Sequence, residues 1–396
     1  MTTTKNNEHK KLNVPNLRFK EFQGEWEKSK LSDLCTFFSG GTPSSSNKDF
    51  YGGDIAFIRS GELHADSTEL FISQDGYDNS SAKMVEIGDL LLAMYGATSG
   101  DIAISKIKGA INQAILCMRT NQNKKFIESV WNKHVSKILR KYLQGGQGNL
   151  SADIVKGISF SFPTLEEQER IANLISLLDE RIATQNKIIE DLKKLKSAII
   201  EEHYRQTEKN EVCVADLGNH FNVGNLAKDD LSETGKPCII YGELFTTYGE
   251  IISQIESHTN KTEGMILSKK GDLLFPSSTT VDAVSLIAPS VINVDNVILG
   301  GDMFGIHISH NYNAQYLSYY FNHIAKKQLA KFAKGSTIIH LHYTDIEKAK
   351  LLLPSLEEQN RMAKCLVALD KKVSVEQNLL SSLTCQKSYL LQQMFI

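Results

Sequence analysis

The sequence is notable first for what it lacks. No apolar run approaches the length that spans a bilayer, and Met1 to Lys11 are polar, without the apolar core of a secretion signal. The six cysteines (35, 117, 213, 238, 365 and 385) are scattered and never spaced Cys-x-x-Cys. Reduced thiols of a cytoplasmic protein are therefore expected, rather than disulfides or zinc. Positive charge is not in excess: 44 Lys and Arg face 46 Asp and Glu, a net charge of −2. A free-standing nucleic-acid binder usually carries a surplus of positive charge, so any such role must rest on local patches or on a partner's charge. There is no glycine loop ending in Lys-Ser/Thr, no dinucleotide fingerprint, no Asn-Pro-Pro-aromatic or Asp-Pro-Pro-aromatic tetrapeptide and no His-Glu-x-x-His. Catalysis by this chain alone is not expected. With 396 residues, 41% hydrophobic content and a mean hydropathy of −0.24, two or three globular domains are.

What the chain does contain is a repeat. Pro163-Thr164-Leu165-Glu166-Glu167-Gln168 returns 191 residues later as Pro354-Ser355-Leu356-Glu357-Glu358-Gln359. Each copy reads as a capping box: Thr164 or Ser355 accepts from a first-turn N–H, and Glu167 or Glu358 reaches back. The proline keeps the preceding Phe162 or Leu353 extended, so a strand feeds each helix. A heptad follows both caps, through Ile171, Ile175, Leu178, Ile182, Gln185, Ile189, Leu192, Lys196 and Ile199, and through Met362, Leu366, Leu369, Val373, Glu376, Leu380, Leu383, Lys387 and Leu390. Alternating steps of four and three are the coiled-coil period, so the two helices are expected to pack on each other. Each seam has two polar interruptions. An antiparallel register whose facing residue numbers total 572 sets Lys196 against Glu376 and Gln185 against Lys387. The other reading of the lysines is that they snorkel out of a loose coil.

The rest repeats more loosely. The expected parts are a flexible N-terminus (1–16), a domain over 17–163, a helix over 164–210, a second domain over 211–353 and a distal helix over 354–396. Leu17 to Trp26 reads as a lead-in anchored by aromatics. Gly88-Asp89-Leu90-Leu91-Leu92 and Gly271-Asp272-Leu273-Leu274-Phe275 are turns into buried strands. Phe126 to Gln144 and Tyr316 to Lys334 read as helices with a basic face, each ending in a loop of small polar residues. Such a face is either simply solvated or holds a phosphate backbone, with the loop offering amides and hydroxyls to bases. Glu62 and Glu243 occupy matching places and read as turn or rim carboxylates. His340 and His342 would share a strand face, as a polar surface or phosphate contact more than a metal pair.

Gly40-Gly41-Thr42-Pro43-Ser44, Tyr51-Gly52-Gly53-Asp54-Ile55, the Gly88 turn, Asn112-Gln113-Ala114 and the paired Leu-Glu-Glu-Gln helices together resemble the specificity subunit of a type I restriction–modification system, over essentially the whole chain. The resemblance implies an α+β fold: two mixed α/β target-recognition domains joined by two long antiparallel coiled-coil helices, an internal duplication with pseudo-two-fold symmetry. Each domain would read half of a bipartite site in double-stranded DNA, with the helices as a ruler. The chain itself would bind no cofactor. It would recruit two methyltransferase subunits, which bring S-adenosylmethionine, and two restriction/translocase subunits, which use ATP and Mg. Residues expected to touch DNA are Gly41, Thr42, Ser44, Ser45, Ser46, Arg59, Tyr95, Thr98, Lys137, Arg140, Lys141, Gln144, Gln147 and Asn149 in the first domain. In the second they are Tyr241, Ser277, Ser278, Thr279, Lys327, Lys331, Lys334, Ser336, Thr337, His340 and His342. The second domain departs from the pattern, with no Gly-Gly-Thr-Pro near Asn222 to Lys228. The alternatives are a coiled-coil adaptor presenting two protein-binding domains, and a stand-alone DNA-modifying enzyme.

Overall fold

Neither heptad stretch contains glycine or proline, and each forms one unbroken helix, Leu165–Gln206 and Leu356–Met394. A computed structural model of the chain describes residues 12–143 and 149–396. Every expected seam position is buried or half-buried. The caps are half of the expected box. Thr164 accepts from Glu167 N–H at 3.4 Å and Ser355 from Glu358 N–H at 3.3 Å. The glutamates turn elsewhere, Glu167 to Arg18 (2.7 Å) and Glu358 to His203 (3.0 Å). The repeated glutamine serves as a latch. The Gln168 amide donates to Pro163 C=O (3.0 Å) and accepts from Asn123 N–H (3.1 Å). Gln359 does the same with Pro354 (2.9 Å) and Asn313 (3.0 Å). Asn123 and Asn313 in turn cap the helices Lys124–Leu143 and Ala314–His323 through Phe126 N–H and Tyr316 N–H. Each glutamine thus pins a domain helix to the start of a long one.

The chain divides into two units, residues up to 186 together with 379–396, and residues 187–378. The expected boundaries at 163/164, 210/211 and 353/354 are not those of the units, because each long helix contributes to both. In the first unit the sheet Cys35–Ser39, Ile115–Thr120, Leu90–Ala93, Ile102–Ile104 is antiparallel throughout. Leu90 and Leu92 face a core with Phe126, Trp131, Ile171, Ile175, Met394 and Phe395, while Leu91 and Ala93 face Ile58 and Ile111 of a second sheet. Both faces are covered, so the strand reads as an uninterrupted apolar run. The second sheet has the order Phe71–Ile72, Tyr51–Ile58, Gly109–Ile111, Lys83–Val85, with a parallel central pair.

The second unit repeats the plan. Gly218–Asn222, Met303–Ile308, Asp272–Pro276 and Ser290–Ile292 run in the matching order, extended by Ile251–Ile252. Lys236–Ile240 lies parallel to Ile298–Gly300 in the other sheet. Both copies of the Gly-Asp turn need glycine, since Gly88 and Gly271 have φ of 88° and 95°. The aspartate behind each accepts from a turn N–H, Asp89 from Glu86 (3.0 Å) and Asp272 from Lys269 (2.8 Å).

Three expectations are corrected. Residues 12–16 are tied down rather than loose: Asn13 bonds Trp26 C=O (2.5 Å) and Ser161 (3.2 Å), and Pro15 is buried. The stretch 316–334 is not one helix. It stops at His323, turns where Ile324 and Ala325 N–H both bond Tyr320 C=O, and resumes as Lys326–Leu329 and a short 3₁₀ turn, Ala330–Phe332.

The third concerns the helix register. Lys196 pairs with Asp370 (2.9 Å) and Glu250 (3.0 Å) rather than Glu376, which pairs with Lys372 on its own helix. In the other unit Lys387 pairs with Asp179 at 2.5 Å. The residue numbers of the Lys196–Asp370 and Asp179–Lys387 pairs each total 566, close to one heptad away from 572, and the second pair is the first moved by the repeat of 191. That slip brings Lys196 to Asp370 across the helices, and Glu250, from outside them, supplies a second carboxylate. Burial pushes the Glu250 carboxyl up, but His323 (3.0 Å) and Lys196 more than offset it and hold it down at about 2.

Candidate nucleic-acid interface

The strand registers fix where the loops gather. In the first unit Ser39 lies opposite Leu116 and Ala93 opposite Ile115, so the exits of Cys35–Ser39 and Leu90–Ala93 share one sheet edge with the entry to Ile115–Thr120. In the second, Asn222 lies opposite Phe304 and Pro276 opposite Met303, the same edge. One backbone bond then brings in the loop after the basic helix. Leu150 N–H donates to Met94 C=O at 2.9 Å, and Leu341 N–H, 191 residues on, donates to Ser277 C=O at 2.9 Å. Each unit therefore has one rim where loops from four parts of the chain meet.

On the first rim Thr42, Ser44, Ser45, Ser46, Tyr95 and Asn149 are exposed, and Thr98 is half-buried. Thr42 donates to Gln113 Oε1 at 2.6 Å, and the Ser44 and Ser46 hydroxyls bond at 2.7 Å. Gly41 is buried and cannot present a contact; a Cβ there would lie 1.9 Å from Ser81 Oγ, and one on Gly40 1.7 Å from Ile111 C=O. These glycines let the loop pass between the sheet edges. Arg59 follows Ile58 beside Ile111, near the rim, but is committed to Glu62 (2.7 Å) and Glu69 (3.4 Å). Its hydrogen bond holds the Glu62 carboxyl at about 2. Gln144 and Gln147 lie outside the described residues.

The basic helix does two jobs. Lys137, Arg140 and Lys141 are exposed. Lys133 instead caps the end of the distal helix through Gln392 C=O (3.2 Å) and Phe395 C=O, and His134 bonds Val130 C=O (2.8 Å). Burial lowers the pKa of both. Lys28, which nothing in the sequence singled out, joins His134, Lys137 and Lys141 in lining a cleft of about 540 Å3 against Ser159 and Ser161.

On the second rim the hydroxyl readers expected just after the strand Asp272–Pro276 are mostly interior. Ser277 and Ser278 are buried, and Thr279 is half-buried. Ser278–Thr279 pairs with Ile339–His340 as a short ribbon, and Ser278 donates to Asp302 at 2.9 Å. What is exposed there is Asp302, His220, Asn222, His340 and His342. The His340 and His342 rings stack at 6.2 Å, and His220 stacks on Tyr343 at 4.2 Å. Tyr241, half-buried, sits where Arg59 sits in the first unit, after a strand end beside Gly300. Lys327, Lys331, Ser336 and Thr337 are exposed, whereas Lys334 pairs with Asp345. Glu243 is buried and accepts from Ile240 N–H (2.9 Å), a turn carboxylate like Glu62.

Two open polar rims, each beside exposed lysines and each on its own two-sheet domain, define a paired reading protein rather than one enclosed active site. Comparison with known proteins agrees. The family model for the type I restriction modification DNA specificity domain matches residues 23–194 and again 207–384, and the chain belongs to that family. It is similar to the putative type I restriction enzyme MjaX specificity subunit of Methanocaldococcus jannaschii, 25% identical over 93% of this chain and 92% of that one. The MjaVIII specificity subunit of the same organism is 23% identical over 90% of each. Among solved structures, a type I restriction–modification S subunit from M. genitalium superposes with a TM-score of 0.63 at 16% identity, covering 97% of this chain and 99% of that one. A chain from a study of type I R-M complex assembly and conformational transition superposes with a TM-score of 0.56 at 16% identity, covering 93% and 97%. The chain is thus a type I restriction–modification specificity protein with two DNA-recognition domains. Among the described residues no helix is long and apolar enough to cross a membrane.

Proposed function

We propose that each rim reads one half of a bipartite site in double-stranded DNA, and that the long helices set the spacing between halves and dock two methyltransferase subunits. The observation that carries this is the repeated bond, Leu150 to Met94 and Leu341 to Ser277, which builds the same four-loop edge twice. Exposed lysines beside each rim would hold phosphates and the rim loops would meet base edges, the usual division between positioning and readout. Two restriction/translocase subunits complete the assembly. S-adenosylmethionine, ATP and Mg belong to the partners, and the complex works in the cytoplasm. The slight net negative charge fits a reader whose partners supply part of the positive clamp around DNA. Methylome sequencing of cells carrying the chain with its methyltransferase partner tests this. A motif of two short specified blocks separated by unspecified bases is expected; one continuous block would contradict it.

A further inference from the structure

The two rims are chemically unlike. On the first, Thr42 is bonded to the neutral amide of Gln113. On the second, two adjoining clefts of about 300 and 580 Å3 are both lined by Ser277, Asp302 and His342. Asp302 is exposed and has no ion-pair partner among the described residues; Lys334, the lysine in the larger cleft, is taken by Asp345. The carboxylate is nevertheless held in place. Ser278 Oγ donates to its Oδ2 at 2.9 Å and Ser277 N–H to its backbone C=O at 2.7 Å. Gly301, at φ +89°, turns the chain just before it, against the Tyr241 ring.

An unpaired carboxylate on a surface that meets DNA is repelled by phosphates, which offer it no donor. It gains where a base edge presents an exocyclic amine, as cytosine N4 and adenine N6 do in the major groove. We propose that Asp302 is a specificity-determining residue of the second domain and accepts from such an amine. This rests on the reading of that domain as a half-site reader, and deepens it by naming the group and the base chemistry it selects. The corresponding position of the first domain is Ala114, whose backbone C=O accepts from Met94 N–H as that of Asp302 does from Ser277 N–H, so the first domain carries no carboxylate at that position.

The test uses the full chain assembled with its methyltransferase partners. Competition binding is measured on duplexes varied one base pair at a time across the motif, with the second domain's half assigned by domain exchange. In Asp302→Ala, preference for cytosine or adenine at one position of that half is expected to fall by roughly tenfold or more, the scale of one good base contact. Preferences in the other half stay as in the wild type. Asp302→Asn is isosteric, can still accept from Ser278, and is expected to shift preference at the same base pair toward adenine, which an amide contacts bidentately. Wild-type preferences at every position in both variants, or an equal loss over both halves, would overturn the proposal. A wild-type complex with no base preference in a second half would overturn the two-domain reading beneath it.

Discussion

Lys196→Met keeps most of the aliphatic stem and removes the charge. Lys196 is 9% exposed and holds Asp370 at 2.9 Å and Glu250 at 3.0 Å. Without it two carboxylates face each other in a partly buried site. Breaking a buried ion pair from one side costs about 3–5 kcal/mol. The Asp370 side chain is 31% exposed, and Glu250 retains His323, so about 2–4 kcal/mol is expected after allowing for solvent screening. The sharper quantity is the coupling. A double-mutant cycle with Asp370→Asn is expected to give about 1–2 kcal/mol, and one with Glu376→Gln less than about 0.5 kcal/mol, because Glu376 is served by Lys372. A chain of two units need not unfold in one step. Stability is therefore read by urea titration with hydrogen exchange at amides of residues 187–378. Coupling to Glu376 larger than to Asp370 would refute the register that pairs Lys196 with Asp370.

Further outcomes follow from the same contacts. Replacing Lys137, Arg140 and Lys141 with Ala should weaken binding of the assembled complex to all sequences alike and lower the salt slope by up to about three, as seen in a binding series over ionic strength. Lys133→Ala should instead leave the slope unchanged and destabilise the first unit, since it caps the distal helix. Gln168→Ala or Gln359→Ala strands a helix-start N–H at Asn123 or Asn313, expected to cost about 1–3 kcal/mol in urea unfolding. Glu250 is held at about 2 when folded against an ordinary 4.5. Its contribution is present above pH 4.5 and is lost as pH falls toward 2, on the order of 3 kcal/mol in all. Glu250→Gln should therefore show a shallower acid limb of stability over that window.

The parts of the fold set by local chemistry were legible. The caps, the proline-fed strands and the four–three period needed only neighbouring residues, and both long helices run where those signals put them. The register was not legible, because the two helices alone do not hold all the charges that meet Lys196. In the folded chain the charge that matches Lys196 comes partly from Glu250, brought in by the domain. The second rim was not legible for a related reason. Pro276 to Thr280 has loop composition, but Ser278–Thr279 forms a ribbon that buries its serines, and pairing with Ile339–His340 is invisible at that separation. Asp302 and Lys28 carry no local motif. Only strand registers place them on a rim or beside a basic helix. Glu62 and Glu243 show the opposite case, since both were legible as turn carboxylates.

Whether the two domains read DNA independently is decided by exchanging one of them. Residues up to 162 are replaced by those of another family member, and the methylome is sequenced with the partner subunits unchanged. The strand-to-proline junction at Phe162 and Pro163 leaves both long helices intact in such a chimera. One block of the methylated motif is expected to change, while the other block and the number of bases between them stay as in the wild type. A chimera in which both blocks changed together, or in which the spacing shifted, would contradict it.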